Sequence, residues 1–580
     1  MPPAVCRHPT VKRFFPVGLV LLLTLILYFP SLDNGFVRDD PFIVVNNDFI
    51  KSWANFPKIF TREYLTNMSD KDFVGVRLIG SGEASYRPVV TISYFLDYAF
   101  WKLNPLGYHA HNLALHLFNT FLVYLLLFHF TRRRPAAFIG ALLFGWHPVN
   151  TEAVCAIANR EDLQVFFFYA LSFYAYIRFR EDGGQQRWLA VALSSFFLAL
   201  FSKEMAVTLP LVVFLYDYLY QREKPRPRAA YGGFLAIAAF YGVIRFFVFA
   251  PTDAPQGHWL GGGGLGHVAS MLRVIAAYAR WLAFPVGVHV TIPEDLRFIS
   301  PFFMEDKVLL ALLLLGALLA MTFFLRRGWR DIRFALGWFF ITLIPVMNII
   351  PLQNFVALRF LYLSSFGFCL IASGLLARVW PAKGVFQKRT VVLGILMALV
   401  LGGYARAASR MIAVWRTDFA LMQDMVRYYP EAARVRCILG MQYHLSGDLH
   451  KALEEYEATL RLAPGYGKAY LCRGMIYQQM GLIEKAVVNF QEAIRLDPRL
   501  WQARFFLGNI FARKKMYPQA EEQYQELLKA APLHVPVYNN LGMIYFYQGQ
   551  NDKARAMWQK ALTIDADNAF ALQQLTQMSQ

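Results

Sequence analysis

Apolar runs of about 20 residues recur through the first four hundred residues of this chain, each long enough to cross the hydrocarbon core of a bilayer as a helix. Lipid offers no water to stray backbone groups, so such runs read as helices and not as isolated strands. Composition agrees, with 57% of 580 residues hydrophobic and 17% charged. The net charge of +19 does not point to nucleic acid. Its basic residues sit in short clusters between apolar runs: "TRRRP" at 131–135, "RFREDGGQQRW" at 178–188, "QREKPRPR" at 221–228, "RRGWRDIR" at 326–333 and "ARVWPAKGVFQKR" at 377–389. Loops that orient a membrane protein are basic in this way.

The opening "MPPAVCRHPTVKRFF" is basic as well, and no small-residue cleavage site follows the apolar "PVGLVLLLTLILYFP" after it. This reads as an uncleaved signal anchor with a cytoplasmic N-terminus. Keeping every basic cluster cytoplasmic takes about eleven crossings of ~20 residues, with 269–300 in or re-entering the membrane. The C-terminus is then external. A membrane domain over 1–405 is expected, carrying an external loop at 31–107 whose segments "PFIVVNNDFI" and "WANFPKIFTREYL" have the apolar periodicity of interfacial helices.

A second domain is expected over 406–580. Pro430, Pro464, Pro498 and Pro532 are 34 residues apart, as are Gly440, Gly474, Gly508 and Gly542, and Ala452, Ala486, Ala520 and Ala554. That is the period and pattern of the tetratricopeptide repeat. Repeats are placed near 433–466, 467–500, 501–534 and 535–568, with a capping helix after them. The fold class is therefore all-α, a polytopic membrane domain followed by an α-solenoid. Such solenoids bind peptides in a concave groove, here lined by Lys468, Met475, Phe505, Asn509, Asn539 and Met543 if the first helix of each repeat faces inward. A passive spacer or an oligomerisation surface is the alternative.

Parity puts a set of polar residues on the external side. "NGFVRDDPFIVVNND" carries Asp39 and Asp40 just past the first apolar run; "NPLGYHAHNLALH" carries His109, Asn112 and His116 at helical spacing; "HPVNTEAVCAIANREDL" carries His147, Glu152, Arg160 and Asp162; "FSKEMAVTLP" carries Lys203 and Glu204; "LRFLYLSSFG" carries Arg359. Ionisable groups near bilayer depth are functional candidates, with ordinary ion pairs or interhelical bonds as the alternative. A carboxylate there can act as general base on a hydroxyl, and cations at the same depth suit the phosphate of a lipid carrier. Together with an external peptide-binding solenoid, this points to sugar transfer from a lipid phosphate to a protein hydroxyl.

The order "DDPFIVVNN", "YRPVVTISYFLDY", "NPLGYHAHNLALH", "HPVNTEAVCAIANREDL", "FSKEMAVTLP" and "LRFLYLSSFGF", followed by tetratricopeptide repeats, resembles the transmembrane and tetratricopeptide-repeat O-mannosyltransferase family and its bacterial relatives. The resemblance covers nearly the whole chain and implies the type C glycosyltransferase superfamily, multispanning enzymes that use polyprenyl-phosphate-linked sugars. It implies Asp39 as the catalytic acid/base, with Asp40 as its partner or as a substrate-orienting neighbour. It also implies that Arg87, His109, His147, Glu152, Arg160, Lys203 and Arg359 surround the donor phosphate and sugar. One departure stands out: where relatives often read Glu-Arg-Tyr-Leu-Tyr-Leu-Pro, this chain has Leu358 for the acid and Ser364 for the proline, so Arg359 must pair differently.

The four-repeat array leads to an expectation of a bacterial inner membrane, a periplasmic repeat domain and an undecaprenyl-phosphate sugar. No metal set is recognisable; Mg²⁺ or Mn²⁺ on Asp39, Asp40 or Glu152 is the form a metal site would take. Cys437 and Cys472 fall in successive repeats, either paired as a disulfide or as two buried thiols. A non-catalytic scaffold, a transferase with lipid or glycan acceptors, and a transporter remain as other readings. The last of these predicts paired broken helices and internal symmetry, which the sequence does not display.

Overall fold

The computed structural model describes residues 11–61, 86–248, 259–291, 298–349, 354–380 and 388–579. Among them every regular element is helical and there is no strand. The basic N-terminal residues with Cys6, the middle of the external loop, part of 269–300 and part of the basic loop at 377–389 lie outside the described residues. Packing divides the chain into two units, which part between Asp424 and Met425.

The first unit contains α1 (Val11–Tyr28), α2 (Pro88–Trp101), α3 (Pro105–Thr131), α4 (Arg134–Gly145), α5 (Thr151–Cys155), α6 (Arg160–Glu181), α7 (Gln186–Leu200), α8 (Leu209–Tyr220), α9 (Arg228–Val243), α10 (Gly264–Ala283), α11 (Asp306–Phe324), α12 (Arg330–Leu343), α13 (Leu361–Val379) and α14 (Lys388–Val414). Short α15 (Asp418–Tyr428) begins within it. Six segments are long and apolar enough to span a bilayer: Phe15–Asp33, Pro105–Thr131, Arg228–Phe247, Asp306–Phe324, Leu358–Val379 and Val391–Val414. The chain is a membrane protein.

Local sequence accounts for the helix ends. Asn104 caps α3 by accepting from the Leu106 N–H at 3.2 Å, and Pro105 fills the first helical position, where no N–H is needed. Small residues then let helices meet: a Cβ on Gly367 of α13 would lie 2.7 Å from the Ala335 carbonyl of α12. In lipid, where apolar burial drives nothing, close approach and interhelical hydrogen bonds hold helices together. His116 has this structural role. Its Nδ1 meets the Tyr362 hydroxyl of α13 at 2.7 Å and its Nε2 the Gly145 carbonyl of α4 at 3.0 Å.

The second unit is a solenoid of four helix pairs and a cap: α16 (Ala433–Leu445) with α17 (Leu449–Leu462), α18 (Gly467–Gln479) with α19 (Ile483–Leu496), α20 (Trp501–Arg513) with α21 (Tyr517–Ala530), α22 (Val535–Tyr547) with α23 (Asn551–Ile564), then α24 (Ala569–Ser579). The repeated glycines have one cause. Each lies against an aromatic ring of the second helix in its pair, and a Cβ would come within 2.7 Å of Tyr456 at Gly440, 2.7 Å of Phe490 at Gly474 and 2.6 Å of Tyr524 at Gly508. Gly542 meets Trp558 in the same way.

Candidate functional site

The loop that carries the two aspartates follows α1 and is fixed by its own backbone. After Arg38, which adopts a left-handed φ of 62°, a tight π-helical turn runs from Pro41 to Val45. The Asp39 carbonyl accepts from the Phe42 and Ile43 N–H groups at 3.1 and 3.2 Å. Asp40 is fully buried. One of its oxygens accepts from the Val37 N–H at 3.0 Å and the other from the Ala158 N–H at 2.7 Å. Burial pushes its carboxyl up to about 7, against the opposing pull of those backbone bonds. Asp40 thus pins the loop to the segment before α6, while its neighbour Asp39 is only half-buried.

Those two roles predict different behaviour. Asp40→Asn turns an amide NH₂ towards one of two N–H groups, leaving a buried donor without an acceptor at a cost of about 1–3 kcal/mol. The pH sign follows from linkage. Between its ordinary value and about 7 the folded chain holds a proton on Asp40 that the unfolded chain releases, so the wild-type group adds stability at the acid end of that window and loses it as pH rises. Thermal unfolding in micelles is therefore expected to separate wild type from Asp40→Asn more at pH 5 than at pH 8.

Residues 152–162 form the hub of the site. Glu152, 1% exposed, pairs with Arg359 Nη1 at 2.8 Å, and its second oxygen has no hydrogen-bond partner. Arg359 therefore pairs with an acid more than 200 residues away instead of a neighbour at position 358. Ala158 holds Asp40. Arg160 is fully buried over the Tyr94 ring, with all three guanidinium nitrogens hydrogen-bonded: Nε to Asn112 at 2.7 Å, Nη1 to Ser93 at 3.1 Å and Nη2 to the Tyr108 carbonyl at 3.1 Å, while Nη1 also ion-pairs with Asp97 at 2.5 Å. Glu161 joins Arg87 and, at 3.0 Å, Lys203. Asp162 takes the other side of Lys203 at 2.7 Å. Arg87 closes the cluster on Glu204 at 2.9 Å. Burial alone would push the Glu204 carboxyl up, but Arg87 and Lys203 more than offset it and hold it down at about 2.

The expected donor-site residues thus divide by how much of each is already committed. Arg160 is a structural hub. His147 caps the turn before α5, its Nδ1 accepting from the Val149 N–H at 3.3 Å and its Nε2 meeting the Leu282 carbonyl at 3.0 Å. Burial pushes that imidazole down to about 4, so it is neutral and brings no positive charge. His109 reaches back through Nε2 to the Gly35 carbonyl at 3.2 Å, which ties α3 to the aspartate loop. Arg87 and Lys203 are each shared by two carboxylates. Among the described residues Arg359 forms one ion pair, with Glu152, and its remaining donors are the best placed to take another anion. Glu161 and Asp97, which complete these pairs, carried no signal in the sequence beyond their charge.

In the oxygen set Asp39, Asp40 and Glu152, Asp40 is already engaged. Both Asp40 oxygens face backbone N–H groups, and among the described residues no three His, Cys, Asp or Glu side chains gather as a metal-binding group. In the solenoid, Lys468, Met475, Phe505, Asn509, Asn539 and Met543 are all half-buried. Asn509 is bound within the repeats, accepting from Tyr524 at 2.5 Å and Asn540 at 2.8 Å. Asn539 bonds Asn568 at 3.2 Å. Cys437 and Cys472 are free thiols.

The family model for the tetratricopeptide repeat matches residues 467–500 and 535–568. Over 472 residues the chain is 26% identical to the protein O-mannosyl-transferase F38B6.6 of Caenorhabditis elegans, covering 77% of this chain and 63% of that protein. Over 534 residues it is 24% identical to the human protein O-mannosyl-transferase TMTC1, covering 80% of this chain and 57% of that one. Over most of its length the chain is similar to proteins named as protein O-mannosyl-transferases. The resemblance carried by "DDPFIVVNN" and the motifs after it is borne out, as is the all-α class with membrane helices and a repeat solenoid. Against Drosophila melanogaster Tmtc1 the identity rises to 32%, over 37% of this chain and 25% of the relative. The chain spans about three fifths of the length of the first two relatives. Among solved structures, MamA is 23% identical, with a TM-score of 0.25, over 26% of this chain and 91% of its own.

Proposed function

We propose that the chain is a membrane glycosyltransferase that moves a hexose, mannose by similarity to its relatives, from a polyprenyl-phosphate carrier to a Ser or Thr hydroxyl of an acceptor protein held by the repeats. Asp39 is the general base. It takes the acceptor proton as the hydroxyl oxygen bonds to the anomeric carbon, and the bond from that carbon to phosphate breaks with its electron pair leaving on the polyprenyl phosphate. A single displacement inverts the anomeric centre. Arg359 is assigned to the donor phosphate, with Arg87 and Lys203 releasing a shared carboxylate to join it, and no step runs through a metal. The proposed setting is a bacterial inner membrane with the aspartate loop and the repeats on the periplasmic side.

The observation that carries this reading is the division of labour between the adjacent aspartates. A loop pinned by the second acid presents the first, in a chain whose relatives are O-mannosyl-transferases along most of its length. Its test is mass spectrometry of periplasmic and surface proteins from a deletion strain with and without the complementing wild-type gene. A hexose-sized increment on Ser- or Thr-containing peptides that requires the gene supports the proposal. No gene-dependent increment rules out protein transfer and leaves lipid or glycan acceptors, or a scaffold. Retained anomeric configuration in the product would overturn the single displacement.

A further inference from the structure

The aspartate loop is fastened at a place the chemistry does not touch. Between α14 and α15 the chain breaks at 415–417, and Thr417 caps α15 with its own hydroxyl, accepting from the Ala420 N–H at 3.2 Å. With that end already capped, the carboxylate of Asp418 is turned elsewhere: its Oδ1 accepts from the backbone N–H of Arg38 at 2.7 Å. A few residues earlier on both sides, the Gly35 N–H donates to the Arg416 carbonyl at 3.1 Å. These bonds join positions about 380 apart in sequence, at either end of the membrane unit.

Arg38 is where such a bond matters. Its φ of 62° lies in the left-handed region, which a residue with a branched or long side chain occupies only when the surroundings over-determine it. The peptide that carries the Arg38 N–H precedes this residue, and Asp39 follows it directly. Whatever fixes Arg38 fixes the direction in which Asp39 leaves the loop. From the other side, Asp40 fastens the loop to Val37 and Ala158, and His109 holds Gly35. Asp418 brings a side-chain acceptor to the backbone of the strained residue itself.

We propose that Asp418 is a positioning residue for Asp39, holding Arg38 in its left-handed conformation through the Arg38 N–H so that the Asp39 carboxylate points at the acceptor hydroxyl. The assignment rests on Asp39 being the general base, and the test separates the two. Asparagine at 418 keeps an Oδ1 acceptor for the same N–H, while alanine removes it. A misplacement of about 1 Å in a catalytic group can cost about 100-fold in rate.

The experiment uses full-length wild type, Asp418→Ala and Asp418→Asn in nanodiscs, with polyprenyl-phosphate mannose as donor and a Ser/Thr peptide as acceptor. Asp418→Ala is expected to lower kcat by about 10- to 100-fold with donor KM unchanged, and Asp418→Asn to stay within about threefold. Amide hydrogen exchange over 36–40 is measured on the same samples and requires no transfer. It is expected to speed up in Asp418→Ala and not in Asp418→Asn. Unchanged exchange in both variants overturns the clamp even if the wild type transfers no sugar. Faster exchange with unchanged kcat in an active enzyme overturns the positioning role, and equal loss of kcat in Asn and Ala does the same. Should Asp418→Ala fail to fold, Asp418→Glu decides: it keeps the charge and displaces the acceptor by one methylene, so full kcat in that variant refutes the proposal.

Discussion

Asp39→Asn is expected to reduce sugar transfer by about 10²- to 10⁴-fold and to leave thermal unfolding within about 0.5 kcal/mol of wild type. The substitution keeps the size of the side chain and its ability to accept a hydrogen bond, and it removes the capacity to take a proton. Because the backbone bonds that fasten the loop are made by Asp40, Asp418 and Arg416, the anchoring does not run through the Asp39 carboxylate. Donor binding is expected to persist, seen as unchanged protection of the chain by polyprenyl phosphate. The contrast with Asp40→Asn makes the result interpretable. If Asp39→Asn destabilises the chain while Asp40→Asn does not, the assignment of base and anchor is the wrong way round. Full activity in Asp39→Asn removes Asp39 from the mechanism.

How much of this was legible depends on the range of the interaction. The solenoid was readable because its physics is local and repeated: Gly508 opposite Tyr524 is a contact over 16 residues, and its copies at 440, 474 and 542 repeat the signal. Membrane helices were readable because lipid imposes one requirement on every residue of a run. The polar site was half-readable. Its members announced themselves as ionisable residues near the membrane, but their partners did not. A buried arginine with all its nitrogens engaged, such as Arg160, and one with donors to spare, such as Arg359, look alike in a single sequence. The difference lies in Asn112, Ser93 and Asp97, brought in by packing across 48 to 67 positions. Most hidden of all was Asp418, which lies about 380 positions from the loop it holds, where an acid at the start of a helix ordinarily signifies only favourable placement at its dipole.

Arg359 with Glu152 poses the question of whether a buried pair is there for stability or for chemistry. Arg359→Gln alone is expected to cost about 3–5 kcal/mol. Glu152 is 1% exposed and already has one oxygen without a partner, so removing its cation leaves a charge that neither water nor protein can stabilise. Asp162 and Glu161 lie close enough to Arg359 to feel its charge and would add their repulsion. In the double variant Glu152→Gln/Arg359→Gln the charges leave together and two amides can bond in their place. Most of the stability is then expected to return, because replacing a whole buried ion pair costs far less than breaking it, and a double-mutant cycle in thermal unfolding measures the coupling. Transfer is where the two explanations part. If Arg359 binds the donor phosphate, the refolded double variant stays impaired, with a raised donor KM, since no neutral amide replaces a guanidinium opposite a phosphate. If activity returns along with stability, the pair is scaffolding, and the phosphate must be met by Arg87 and Lys203 after they give up Glu161.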